Sequence, residues 1–335
     1  MLERRLTESG EVTLTHQGYK LRYPERGVSD LTSYITDDDT LFIVTHMSLV
    51  SIRRETWRLH VRGLVGTERT FSLADIEQFP QHEIMSVHEC AGSPLTPKEP
   101  KRRVGNVIWR GARLCDVLAR CGLLPEAAFV WTEGLEWGEF AGLKDEPFIK
   151  DLPLSKALSP ETLLAVSMNG EPLTPERGGP VRLVVPGWYG TNSVKWIGRI
   201  SAARTRSPGP YTTQFYNDVT ENGTKPVWGI APESVIVSPA DRSTLPAGEA
   251  LLIWGWAWAE NGVSRVEVSI DGHQTWQPAT LETREGFGWQ SFSVSVVLEP
   301  GKQALSCRCF DSTGKGQPVT LARNAIHTIE VELTA

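Results

Sequence analysis

Leu251-Leu-Ile-Trp-Gly-Trp-Ala-Trp-Ala259, then Glu260-Asn-Gly262, then Val263-Ser-Arg-Val-Glu-Val-Ser-Ile270 reads as strand, turn, strand. The first run is apolar and rich in Trp, Asn-Gly supplies the backbone freedom of a tight turn, and apolar residues alternate with polar ones in the second. Working outward, Asp271-Gly272 is another turn, and further strands are expected at Trp289–Leu298, Gln303–Phe310 and Ile326–Leu333.

Short strands at this spacing predict an all-β sandwich of immunoglobulin-like type over residues 233–335. Cys307 and Cys309 lie two apart in one strand, so they face the same side and read as packing residues. Upstream, between Ser201 and Pro232, periodicity fades into Arg-Ser-Pro-Gly-Pro and Thr-Glu-Asn-Gly-Thr-Lys-Pro, which is breaker chemistry and marks a linker over 211–232.

Residues 41–210 read as an α+β domain. Trp57-Arg-Leu-His-Val61 alternates as a half-buried strand would and ends at Gly63, while Ser72 and Asp75 open a helix. Ala112, Leu114, Val117 and Leu118 recur at helical spacing from Gly111 to a stop at Gly122, and Pro180–Val185 reads as strand. Residues 1–40 show no sustained period and are expected to form an irregular arm.

At 335 residues, 40 % hydrophobic and 22 % charged, the chain has enough apolar material for two cores and lacks the composition of a disordered protein. A net charge of −6 excludes general nucleic-acid affinity, which needs a basic footprint. No stretch reaches the roughly 18 apolar residues of a membrane span, and Met-Leu-Glu-Arg-Arg-Leu-Thr-Glu is not a secretory leader. The chain as given therefore reads as cytoplasmic, or periplasmic if a leader has been removed. Its five cysteines are too scattered for a disulfide framework, and the odd count leaves at least one free thiol.

Three segments look specialised: Phe42-Ile-Val-Thr-His46, His88-Glu-Cys-Ala-Gly92 and Pro186-Gly-Trp-Tyr-Gly-Thr-Asn-Ser-Val-Lys-Trp196. Together with Trp57–Gly63, Trp109-Arg-Gly-Ala-Arg-Leu114, Leu163–Gly170, Pro180–Gly187 and Gly255-Trp-Ala-Trp258, they make the chain resemble the sulfite oxidase family from about Leu41 onward. The resemblance implies a molybdopterin-binding domain followed by a dimerisation domain. It also implies a molybdenum-molybdopterin cofactor, and a homodimer formed through the C-terminal domain.

By that resemblance Cys90 is the metal ligand and catalytic residue, a soft thiolate donor suited to joining the pterin's dithiolene sulfurs around molybdenum. Arg182 and Lys195 match the family's basic positions, and Ser193 and His46 match neighbouring contact positions. Arg177 falls where relatives have His, and Glu136 falls near a family Asp. All six are implied cofactor contacts, since guanidinium forks and ammonium charges hold phosphate and a polar ring.

Departures bear on substrate. Relatives that oxidise sulfite continue Cys-Ala-Gly with Asn-Arg, where this chain has Ser93 and Pro94. A family Tyr is matched by Phe148, and an early Arg by Val44. The basic run Lys101-Arg-Arg103 and Arg110 are possible substitutes, with a solvated surface the plainer reading of the run. The expected activity is two-electron oxidation of sulfite or a related small sulfur oxyanion, with electrons passing to a separate acceptor such as a cytochrome. Two alternatives stay open: a sulfane dehydrogenase-like subunit with a cytochrome partner, and a catalytically degenerate homologue that acts as a binding protein.

Overall fold

In the computed structural model, which describes residues 3–22, 27–93, 102–221, 223–319 and 323–335, the quoted stretch is two adjacent strands, Ala250–Trp258 and Val263–Ser269. They enter different sheets. One has the order Glu233–Ser238, Ala250–Trp258, Gln290–Val297, Thr280–Leu281; the other runs Thr244–Pro246, His327–Thr334, Gly301–Asp311, Val263–Ser269, Gln277–Pro278. Alternation puts Ile236, Ile253, Val266, Val268, Phe292, Leu305, Ile329 and Val331 into one core. Cys307 and Cys309 are buried free thiols in that core, as their two-residue spacing predicts.

Two further stretches of chain build onto these sheets. Trp256 and Trp289 stack with ring centroids 4.9 Å apart, and their indole N–H groups donate to the carbonyls of Leu31 and Tyr34 at 2.6 and 3.0 Å. Phe287 bridges to the same region, its O accepting from Val87 N–H at 2.9 Å and its N–H donating to Met85 O at 2.8 Å. Residues 23–41 and 85–107 accordingly belong to the same compact unit as 229–335, while 1–22, 42–84 and 108–228 form the other. The linear boundaries read from sequence do not follow this division, because local periodicity carries no information about which distant segments pair.

The other unit has a five-stranded sheet ordered Ile149–Pro153, Phe129–Gly134, Ile197–Ala203, Arg58–Gly63, Arg69–Ser72, in which only the pairing of Ile197–Ala203 with Arg58–Gly63 is parallel. Beside it, Leu163–Met168, buried throughout, pairs with Arg182–Val184 and with the Trp109–Arg113 end of the strand Val104–Arg113. The N-terminal stretch is not an irregular arm. Arg4–Thr7 and Gly10–Gln17 form a hairpin that adds to Ser48–Ile52. Its first strand is mostly exposed and only Val12 and Leu14 of the second reach the core, so the apolar alternation that marks it is only two residues long.

Helix is scarcer than an α+β reading expects. Among the described residues the α-helices are Leu73–Gln78, Leu114–Ala119, Leu154–Ala157 and Pro210–Thr213. The first has the predicted cap: Asp75 N–H donates to Ser72 Oγ at 3.2 Å and Ser72 N–H to Asp75 Oδ2 at 2.8 Å. The helix expected from Gly111 starts only at Leu114, because Gly111 and Ala112 pair with Ala165 and Leu164, and ladder pairing overrides helical spacing. Among the described residues no helix is long and apolar enough to cross a membrane.

Candidate cofactor-binding site

Lys195 is placed by backbone geometry on three sides. The next residue, Trp196, has φ +45°, a left-handed conformation held by its N–H to Gly178 O at 3.1 Å and its indole to Pro175 O at 2.7 Å. A Cβ on Gly134 would lie 2.9 Å from the Lys195 carbonyl, and the register between strands Phe129–Gly134 and Ile197–Ala203 shifts at this residue. Such bulges re-aim the chain that follows, here Leu135 and Glu136. The Lys195 ammonium donates to Val44 O at 2.8 Å and lies 4.5 Å from the Trp196 ring centroid.

Around it the structure gathers the other predicted residues of this unit. Arg182 is buried, donates to the carbonyls of Arg177 and Ser193 at 3.0 Å each, and lies 4.9 Å from the Trp109 ring. Arg177, also buried, donates to Phe42 O at 2.8 Å. Ser193 Oγ accepts from Val185 N–H at 3.1 Å, and Glu136 Oε2 accepts from Met47 N–H at 3.2 Å. Burial, with Arg182 close by, pulls Lys195 down to about 7; burial and Arg177 lower Arg182 as well. Burial pushes Glu136 up, against the opposing pull of Lys195.

His46 lies in an aromatic wall. Its ring stacks on Phe148 at 4.8 Å, meets Phe140, Tyr211 and Tyr216 edge-on, and its Nε2 is hydrogen-bonded to the Tyr216 hydroxyl. Burial and the charges of Lys195 and Lys150 lower His46 to about 3, so the imidazole is neutral at physiological pH. Lys150, almost wholly buried, donates to Tyr211 O at 2.8 Å under the Tyr216 ring, and burial brings it to about 8.

This set of donors is short of anionic partners. Neither Arg182 nor Lys195 forms an ion pair with any described carboxylate, and their hydrogen bonds go to neutral carbonyls. Arg182 Nε and the buried hydroxyls of Thr45, Ser48 and Tyr211 have no hydrogen-bond partner among the described residues. Buried donors left unmet are costly, and Arg177, Arg182 and Lys195 repel one another. An anionic, polar ring system with a phosphate relieves both conditions, so these residues fit a molybdopterin.

Cys90 is carried by the other unit, just beyond the strand Gln81–Glu89, and is partly exposed as a free thiol. Its N–H donates to Arg103 O at 2.9 Å, its carbonyl accepts from Ser93 N–H at 3.0 Å, and its Sγ accepts from Gly92 N–H at 3.4 Å. Arg103 donates to Gly92 O at 3.0 Å. The solvated reading of the basic run is wrong for Arg102, whose Nε pairs with Glu233 Oε1 at 3.0 Å in the interior. Pro94 and Lys101 lie outside the described residues, and Arg110 is exposed. Val44 contributes its carbonyl to Lys195.

Sequence reading missed several groups. Tyr216, left-handed at φ +58°, and Lys150 carry no motif and reach His46 only through the fold. Glu89 stands inside the quoted His-Glu-Cys segment, yet nothing local shows that it is buried, accepts from Trp258 Nε1 at 2.9 Å and is raised by burial and by Glu233.

Residues 46–211 match the oxidoreductase molybdopterin binding domain, and residues 224–331 match the Mo-co oxidoreductase dimerisation domain. The chain is 33 % identical to mitochondrial sulfite oxidase of Rattus norvegicus across 90 % of its own length and 62 % of the rat protein. It is 30 % identical to sulfite oxidase of Gallus gallus, across 86 % of this chain and 69 % of that one. It also superposes on the sulfane dehydrogenase SoxCD of Paracoccus pantotrophus with a TM-score of 0.79 and 25 % identity, covering 99 % of this chain and 90 % of that one. With both domain types present in order, and the cation cradle inside the first of them, the chain belongs to the sulfite oxidase family of molybdopterin oxidoreductases.

Proposed function

We propose that the protein is a molybdenum-dependent oxidoreductase that removes two electrons from sulfite or a related small sulfur oxyanion and passes them to a separate acceptor. The observation that carries this reading is the buried pair of Arg182 and Lys195, which form no ion pair with a carboxylate among the described residues and have Arg177 beside them. A protein that only bound a partner would have no use for such a cradle, which counts against the degenerate binding-protein reading.

In this reading Arg182, Lys195 and Arg177 hold the anionic and polar parts of the pterin. Ser193 and Glu136 fix the backbone that presents them, through Val185 and Met47. His46, neutral and locked by Tyr216 and Phe148, offers a hydrogen bond without adding charge. Cys90 supplies the protein thiolate. When bound, the cofactor supplies a metal centre able to take up two electrons.

Two guanidinium groups and one phenol that the resemblance expects are replaced in the sequence by Pro94, Val44 and Phe148. Protein made in a cofactor-competent host should contain about one molybdenum per chain, since metal binding and folding are coupled. With an artificial acceptor it should turn over sulfite slowly and with a high KM. Pro94→Arg with Phe148→Tyr should raise kcat/KM. Molybdenum-loaded protein inert toward sulfite and toward other sulfur oxyanions would overturn the reading.

A second reading has its own support. The likeness to the sulfane dehydrogenase extends over 99 % of this chain. On that reading the acceptor is a cytochrome subunit, and reduced sulfur rather than sulfite is the better electron source. We also propose that the C-terminal sheets form an immunoglobulin-like sandwich and that two copies pair through it, which the dimerisation-domain match supports.

A further inference from the structure

Four buried side chains behind Cys90 form a two-by-two arrangement. Glu233 and Trp258 are direct cross-strand partners in the strands Glu233–Ser238 and Ala250–Trp258. Each reaches one limb of the Cys90 loop: Trp258 Nε1 donates to Glu89 Oε2 at 2.9 Å, and Arg102 Nε donates to Glu233 Oε1 at 3.0 Å. Glu89 precedes Cys90, and Arg102 precedes Arg103, whose carbonyl accepts from the Cys90 N–H. The side chains of Arg102 and Glu233 are 2 % and 3 % exposed.

Stability alone does not explain this. Removing an ion pair from water costs about as much as the pair returns, and apolar residues of the same volume serve as well or better. A second buried carboxyl, Glu89, hydrogen-bonded to Glu233 and raised by it, is a still worse choice for a core. Such groups have value where a ligand atom must be held in one direction, and outer contacts of this kind are a large part of how metal-binding side chains are oriented.

We propose that Glu233 and Arg102, with Glu89 and Trp258, are positioning residues for the Cys90 sulfur, anchoring both limbs of its loop to the C-terminal sheet. The inference rests on Cys90 as the metal ligand, and the geometry ties that ligand to two strands of the unit that carries the dimerisation domain.

The test uses the full-length chain with Glu233→Gln, Arg102→Lys and Trp258→Phe, beside Asp151→Asn as a buried ion-pair control in the other unit. In cofactor-free protein, alkylation of Cys90 by iodoacetamide is followed by peptide mass, with the partly exposed Cys115 as reference within the same molecule. The Cys90-to-Cys115 rate ratio should change about tenfold in Glu233→Gln, and molybdenum retention on dialysis should fall by a similar factor, the range seen when groups supporting a metal ligand are lost.

Arg102→Lys, which keeps the charge, should recover most of both, and Asp151→Asn should move neither. If Glu233→Gln does not fold, Trp258→Phe replaces it, since it removes one donor and keeps an aromatic ring. A ratio within about twofold of the wild type in soluble variants, whatever happens to Tm, overturns the proposal. If the ratio shifts while Cys90→Ser still retains molybdenum, the anchoring stands as geometry and the assignment of Cys90 as ligand is what has failed.

Discussion

Gly178 passes so close to Lys195 that a Cβ on it would lie 2.7 Å from both Cβ and Cγ of the lysine. With φ at +93°, the position is also one where a side chain is strained whatever space surrounds it. The cradle's central cation is therefore seated against a backbone that has no room for anything but hydrogen.

Gly178→Ala should displace Lys195 and cost about 1–3 kcal/mol of stability, the usual penalty for forcing a side chain into this backbone region. Denaturant unfolding measures the loss, and metal analysis should show lower molybdenum content. Unchanged stability would mean that the lysine shifts freely and that the seat is not selective.

Cys90→Ser should leave the fold and the circular dichroism spectrum intact, because the sulfur is partly exposed and its loop is held by backbone bonds. Metal-centred activity should vanish. An unaltered turnover number would end the assignment of Cys90 as ligand.

Lys195 should leave a pH signature in cofactor-free protein. Its ammonium titrates near 7 when folded and near its ordinary 10.5 when unfolded, so between those values the unfolded chain binds more protons and stability rises with pH. The penalty is fully present below about 7 and gone above about 10.5. Compared with Lys195→Met by denaturant titration, the wild type should therefore gain relative stability from pH 7 to 10. Bound cofactor, which favours the charged lysine, should flatten that slope. A difference independent of pH would place the lysine in water.

Truncation after Pro232 should not release a soluble first domain. It would strip the segments around Leu31, Tyr34 and Val87 of the sheets they pack on, exposing the contacts made by Trp256, Trp289 and Phe287. Light scattering should show a dimer for the full chain at micromolar concentration and aggregate for the truncation. A monodisperse truncated monomer would show that the first unit stands without them.

The strands after Ala250 were legible almost to the residue, because a half-exposed sheet writes its period directly into the sequence. Ser72 and Asp75 were legible for the same local reason. The hairpin at Arg4–Gln17 was not, since its outer strand is largely exposed. Helical spacing at Gly111 and Ala112 misled, because pairing with Leu164 and Ala165 is non-local. At the site, Arg182 and Lys195 were found through motif wording alone. What made them a cradle was invisible there: burial, the unmet Arg182 Nε, and the Tyr216 contact to His46. Arg102 looked like a solvated charge because its acid lies 131 residues away.

The unit that carries Cys90 is assembled from three separate stretches of chain, the last beginning at Gly229. During translation the Cys90 loop emerges before Trp258 and Glu233, which bond to Glu89 and Arg102, so its anchoring contacts form only once the final third of the polypeptide has been made. A chain that ends before Gly229 lacks both side chains that hold Glu89 and Arg102, so the setting of the Cys90 loop is a property of the finished polypeptide and of no shorter piece.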